Sequence, residues 1–66
     1  MEVRINGQLK PVPEGHTIAA LIAEMDLTNK RIAIEVNEEI VPRSAYPAHI
    51  LKPGDRVEVV TAIGGG

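Results

Sequence analysis

The stretch that decides the fold is the first one, "MEVRINGQLKPV", residues Met1 to Val12. Within it "MEVRI" alternates: Met1, Val3 and Ile5 are apolar, while Glu2 and Arg4 are charged. That period of two belongs to a strand with one buried face. Asn6-Gly7 comes next, a pair in which both residues tolerate positive φ, as a two-residue hairpin turn requires. "QLKPV" then reads as the return strand. Pro11 has no amide hydrogen to donate to a ladder, so this strand is expected at a sheet edge. A chain that begins with a hairpin has committed its first two strands to antiparallel pairing.

One helix follows. After the loop "PEGHT", Ile18, Leu21, Ile22 and Met25 fall at i, i+3, i+4 and i+7, one stripe of a helix. Thr17 is placed to cap it, and Ala19, Ala20 and Ala23 favour it and allow close packing. The helix is expected to end near Asp26 to Thr28, with Leu27 folded back. "RIAIEV" alternates again, with Ile32, Ile34 and Val36 inward and Arg31, Ala33 and Glu35 outward. Asn37-Glu38 reads as a turn and "EIV" as a short strand stopped by Pro42. "PRSAYPAHIL" is bounded by prolines and reads as irregular with a turn of helix. "KPGD", Lys52 to Asp55, is a β-turn in which Pro pre-sets φ and Gly supplies a positive one. "RVEVVTAI" is the last strand, with Val57, Val59 and Thr61 inward and Arg56, Glu58, Val60 and Ala62 outward.

The order hairpin, helix, strand, short strand, strand points to an α+β fold, the ubiquitin-like β-grasp. It has a mixed four- to five-stranded sheet, one main helix on one face, and the last strand near the sheet centre. Residues 1–66 are read as a single domain, 1–63 globular and 64–66 a flexible Gly-Gly-Gly tail.

Composition narrows the function. At 66 residues the core is small, because a chain of this size buries only about 60% of the surface its unfolded form exposes. Tyr46 is the sole aromatic residue, so the core is aliphatic. There is no Cys, which excludes disulfides, thiolate metal sites and side-chain thiol chemistry. Seven Lys and Arg against nine Asp and Glu give a net charge of −2, with the basic residues scattered. No basic block or stacking platform is present, which argues against a nucleic-acid partner. No apolar run approaches the roughly 20 residues a membrane span needs. The N-terminus does not read as a signal peptide, and a soluble, cytoplasmic protein is expected. His16 and His49 read as surface residues rather than ligands, Glu38-Glu39 as a solvated tip and Met25 as core. No nucleophile–base pair, phosphate loop or carboxylate pair stands at usable spacing.

Taken together the "NG" hairpin, the G-x-T-hydrophobic start of the helix at Gly15 to Ile18, "IAIEVNEEIVPRSAY" at Ile32 to Tyr46 and "LKPGDRVEVVTAIGGG" at Leu51 to Gly66 resemble the ThiS sulfur carrier proteins of thiamine biosynthesis, over essentially the whole chain. The family's tail often carries an aromatic residue near Ala62 or Ile63, and this chain has none. The resemblance implies that the protein is a carrier and not an enzyme, and that the α-carboxylate of Gly66 is adenylated by an ATP-dependent, E1-like adenylyltransferase of the ThiF type. It implies further that a sulfur donor, such as a cysteine desulfurase persulfide, converts it to a thiocarboxylate. The sulfur would then pass to a ThiG-type thiazole synthase that builds the thiazole phosphate. No cofactor is expected on the carrier itself; ATP belongs to the activating partner.

The residue types suit that chemistry. A carboxylate is a poor electrophile until one oxygen becomes part of a leaving group, and here it must reach a nucleotide buried in another protein. Gly64 and Gly65 carry no side chain to block a narrow channel. Three extended residues reach about 10 Å. Ordering them costs about 1–2 kcal/mol each, which a separate docking surface must offset. The outward apolar Val60 and Ala62, with Arg43, Arg56 and Glu58 as a polar rim, are the candidates. The alternatives are a sulfur carrier of another pathway (molybdopterin, cysteine or tRNA thiolation), a ubiquitin-like modifier joined through its terminal Gly, and a plain interaction domain.

Overall fold

Asn6 and Gly7 both take positive φ, 50° and 85°, and the hairpin they close pairs β1 (Glu2–Ile5) with β2 (Gln8–Pro11) in antiparallel register from Glu2↔Pro11 to Ile5↔Gln8. The structure is a computed structural model that describes residues 1–61. After the hairpin come helix α1 (Ile18–Glu24), β3 (Ile32–Val36), β4 (Glu39–Val41), a 3-10 turn η1 (Arg43–Ala45) and β5 (Arg56–Thr61). The five strands form one sheet in the order β2-β1-β5-β3-β4. β5 is central, parallel to β1 and antiparallel to β3. β2, with its proline, lies at one edge. This is the ubiquitin-like β-grasp, with five strands.

The core is aliphatic. Val3, Ile18, Leu21 and Ile34 are completely buried, and Leu51 and Val57 nearly so. They bring together the inward positions of β1, β3 and β5, the apolar stripe of α1 and the loop before β5. Tyr46 closes the same cluster.

The helix shows why an irregular stretch follows β4. A helix leaves its first four amides without internal partners. Here the Thr17 hydroxyl accepts from the Ala20 amide at 3.1 Å, and the Thr17 carbonyl from Leu21 at 3.0 Å. The Ile18 and Ala19 amides donate to the carbonyls of His49 and Tyr46, at 3.0 and 3.1 Å. Leu51 donates to His16 at 2.8 Å. Residues 42–51 therefore serve as the helix's cap as well as its connection to β5. At the other end the helix stops at Glu24, earlier than the periodicity predicts. Asp26 turns to φ 60°, its amide bonds to Ala23, and the Leu27 amide reaches back to Ile22 at 3.0 Å. These are the paired bonds of a Schellman termination, with Asp where Gly is usual. Leu27 packs against the core, as expected.

The second hairpin repeats the first with one costly difference. Asn37 and Glu38 also take positive φ, 52° and 72°. An L-residue with an unbranched carbon chain is disfavoured there. Replacing Glu38 with Gly is therefore expected to stabilise the domain by about 1 kcal/mol, raising the melting temperature by about 4–8 °C. A thermal melt reads this directly, and an unchanged or lower midpoint would contradict the assignment of strain to that position.

Thr61 and His16 also differ from expectation. Thr61 lies on the inward face of β5 but is exposed, since the cover thins along the strand from buried Val57 through half-buried Val59. A seven-residue helix is only about 10 Å long and cannot shield the whole strand. His16 is not a surface residue. Its side chain is 10% exposed, and its Nε2 lies 3.2 Å from the Glu24 carboxylate, because the turn before the helix folds it against the helix's own last turn.

Candidate functional site

The proposed working end follows directly from β5. The chain leaves the described region at Thr61, which pairs with Ile32 of β3. Ala62, Gly64, Gly65 and Gly66, together with Ile63, lie outside the described residues. What the structure defines is the strand they continue and the surface around it.

β5 is held by two asparagines, and both are turn residues. Asn37, in the β3–β4 turn, donates its backbone amide to the Arg56 carbonyl at 2.8 Å and accepts the Arg56 amide on its Oδ1 at 3.0 Å. Its Nδ2 donates to Asp55 at 3.0 Å, and the other Asp55 oxygen accepts the Lys52 amide at 2.9 Å. Asp55, buried at 8% exposure, thus locks the turn "KPGD" to the start of β5. Asn6, in the β1–β2 turn, donates its backbone amide to Val57 at 2.8 Å. Its Oδ1 accepts the Val59 amide at 2.8 Å, and its Nδ2 donates to the Val59 carbonyl at 3.3 Å. These roles were not legible in the sequence, where both asparagines signal only a turn, and Asn-Gly gives no hint of where the amide points.

The face of the sheet away from the helix is open. The registers place Arg56, Glu58 and Val60 of β5 on it, beside Arg4 of β1 and Ala33 and Glu35 of β3, with Ile40 of β4 beyond. Val60 is 61% exposed and Ile40 75%. Val60 stands opposite Ala33 and shares with it, Arg31 and Ile32 a cleft of about 230 Å³ beside the last described residue. Like charges face each other across this surface: Arg4 opposite Arg56, and Glu35 opposite Glu58. Such pairs cost stability in an isolated sheet. The order along β5 is therefore basic, acidic, apolar, with the apolar end nearest the terminal residues.

Of the predicted docking residues, Val60, Arg56 and Glu58 are brought together on this face. Arg43 is not among them. It begins η1, donates to the Lys30 carbonyl at 3.0 Å and lines a separate groove with Ala19, Ile22, Thr28, Ile32, Tyr46 and Pro47. The reason is that Pro42 ends β4 and turns the chain toward the helix side. Ile40 and Ala33 join the face although the sequence did not single them out; a three-residue strand is too short to reveal which way Ile40 points. Among the described residues no group of three His, Asp or Glu side chains could hold a metal ion, and no helix is long and apolar enough to cross a membrane.

Comparison with known proteins bears on what this arrangement is for. Residues 3–66 match the ThiS family. The sulfur carrier protein ThiS of Escherichia coli (strain K12) is 30% identical over 66 residues, all of this chain and all of that protein. A thiazole synthase of Paramagnetospirillum magneticum is 38% identical over the same 66 residues, but the chain spans only 20% of that protein. Among solved structures, the thiamine biosynthesis protein ThiS of Geobacter metallireducens superposes with a TM-score of 0.84 at 29% identity, covering both chains completely.

Proposed function

Since the chain belongs to the ThiS family, we propose that it is a sulfur carrier rather than an enzyme, and that its reactive group is the α-carboxylate of Gly66. An E1-like adenylyltransferase activates that carboxylate with ATP: a carboxylate oxygen attacks the α-phosphorus, pyrophosphate leaves and an acyl adenylate forms. The terminal sulfur of a persulfide donor, of the kind a cysteine desulfurase makes, then attacks the acyl carbon and displaces AMP to give an acyl disulfide. A second thiol, supplied by a partner or a small-molecule reductant because this chain has no Cys, cleaves the S–S bond to release the thiocarboxylate and leave a disulfide on the donor side. The carrier binds no cofactor in this scheme.

The observation that carries the reading is that the family match runs through Gly66 on a fold whose central strand leads into the glycines. A strand bonded to neighbours on both sides gives the short arm a defined origin. The like-charge rows and exposed Val60 on the open face support a docking role, because a partner of complementary charge would relieve what the free sheet tolerates at a cost. Thiazole synthase is the favoured recipient. The Paramagnetospirillum magneticum protein of that name contains a stretch similar to this whole chain, which supports a working partnership between the two activities.

The experiment is exchange of radiolabelled pyrophosphate into ATP by an E1-like adenylyltransferase of the ThiF type, which proceeds only if an acyl adenylate forms reversibly. The wild-type chain is expected to support exchange. Val60→Asp is expected to raise the concentration of carrier needed by about tenfold, the scale of a docking hot spot. At an exposed position it should change stability by no more than about 1 kcal/mol. Unchanged half-saturation would remove Val60 from the docking surface, and no exchange with the wild-type chain would remove the adenylation step.

A further inference from the structure

Asn6 occupies a position whose consequence for transfer is not evident from its role in the turn. In a parallel pair a residue donates its amide to the strand opposite and accepts the next amide but one from that strand. Asn6 makes the first of these bonds with its backbone, to Val57. The hairpin turn then carries the backbone away from β5. The side-chain amide takes over: Oδ1 accepts from Val59 where a backbone carbonyl would, and Nδ2 donates to the Val59 carbonyl where the following amide would. The side chain stands in for one missing peptide group. β1 itself pairs with β5 only at Arg4↔Arg56 and Ile5↔Val57, so on this side Asn6 adds the rung closest to Thr61.

We propose that Asn6 is a positioning residue for transfer: by holding Val59 on the β1 side, it sets the direction in which β5 presents Thr61, the last described residue before the terminal segment. The inference rests on the carrier reading above. Asn6 touches neither nucleotide nor carboxylate; it acts through β5. Without it the end of β5 is held by β3 alone, and a strand paired on one edge can pivot about that edge. Docking on the open face would persist, while the carboxylate would meet the nucleotide in the wrong place more often. Placement errors of about 1 Å can cost two orders of magnitude in rate.

Asn37 provides a matched control, because it bonds to Arg56 at the far end of the same strand. Asn6→Gly and Asn37→Gly each remove one amide bridge to β5, and Gly is at ease at the φ of 50° and 52° found there. Asn37→Gly also takes a donor from buried Asp55, so it is the more destabilising of the two. If stability alone governed transfer, it would be the slower variant.

The test measures kcat and KM of pyrophosphate exchange for the wild-type chain and both variants with the same adenylyltransferase, with amide NMR spectra confirming that each is folded at the assay temperature. Asn6→Gly is expected to lower kcat by about tenfold with KM within about twofold, and to speed hydrogen exchange of the Val59 amide. Asn37→Gly is expected to leave kcat within about twofold. Asn6→Asp, which keeps the acceptor and loses the donor, should fall between wild type and Asn6→Gly. Equal kcat for Asn6→Gly and wild type, equal losses in the two glycine variants, or a loss confined to KM would overturn the inference while leaving the carrier reading intact. A wild-type chain that supports no exchange would overturn the carrier reading and this inference with it.

Discussion

Adding a single alanine after Gly66 is expected to abolish sulfur loading and to leave the fold unchanged. The extension converts the Gly66 carboxylate into a peptide amide, whose oxygen is no longer a free nucleophile for the α-phosphorus of ATP. The new carboxylate stands about 3.5 Å further along the chain and carries a methyl group into a channel proposed to admit only glycine. Misplacement by more than an ångström is enough for a loss of about a hundredfold or more. Stability should not change, because the added residue follows Gly66 and replaces none of the buried core residues. The measurement is thiocarboxylate yield in a reaction containing ATP, adenylyltransferase and sulfur donor, alongside a thermal melt. Loading at the wild-type rate would mean that the reacting group is not the Gly66 carboxylate. Absence of loading in both the wild-type and the extended chain would favour the plain interaction domain over the carrier reading.

The second large effect concerns stability. Leu21→Ala is expected to leave the domain largely unfolded at physiological temperature. Leu21 is completely buried among the helix and sheet residues of the core. Removing its side chain costs about 2–5 kcal/mol in lost transfer energy and cavity formation. A domain of this size is stable by only about 3–10 kcal/mol in total. Alanine is the best helix former, so the loss cannot be attributed to helix propensity. The midpoint of thermal unfolding should fall by at least about 10 °C. Leu9→Ala, at a position 56% exposed, should change stability by about 0.5 kcal/mol or less. Comparable losses for the two variants would contradict the packing described.

The architecture was legible because each element carries its own local signal. Alternation in "MEVRI" and "RIAIEV", Asn-Gly at the first turn, the four-residue stripe of α1 and Thr17 ahead of it each specify one piece, and the order of pieces leaves few topologies. The limits were equally physical. The helix ends at Glu24 because Asp26 adopts a left-handed conformation, which nothing in the apolar period announces. Arg43 reads as part of a polar rim around Val60, but the turn at Pro42 sends it to the helix side. His16 is folded against Glu24 by a contact eight residues away on a helix, which no single motif encodes.

The candidate site was legible in a different way. The terminal glycines stand out in the sequence itself, and Val60 follows from alternation in β5. Ala33 is outward by the alternation of β3, but its place opposite Val60, and Ile40's place on the same face, come only from the registers of β3 with β5 and β4. The clamps formed by Asn6 and Asn37 depend on side-chain amides reaching a strand about 20 or 50 positions away, a relation that no local pattern contains.

The central claim is that sulfur is carried on the C-terminal carboxylate. The most direct measurement is tandem mass spectrometry of the chain after incubation with ATP, an E1-like adenylyltransferase, a persulfide donor and a thiol reductant. Replacing oxygen by sulfur adds nearly the mass of one extra oxygen, and Met1 and Met25 can each take up an oxygen, so the shift must be localised. The account predicts a shift confined to the C-terminal fragment that ends at Gly66, dependent on ATP and trapped by thiocarboxylate-specific alkylation. A shift found only in fragments bearing Met1 or Met25, with an unmodified C-terminal fragment, would contradict it.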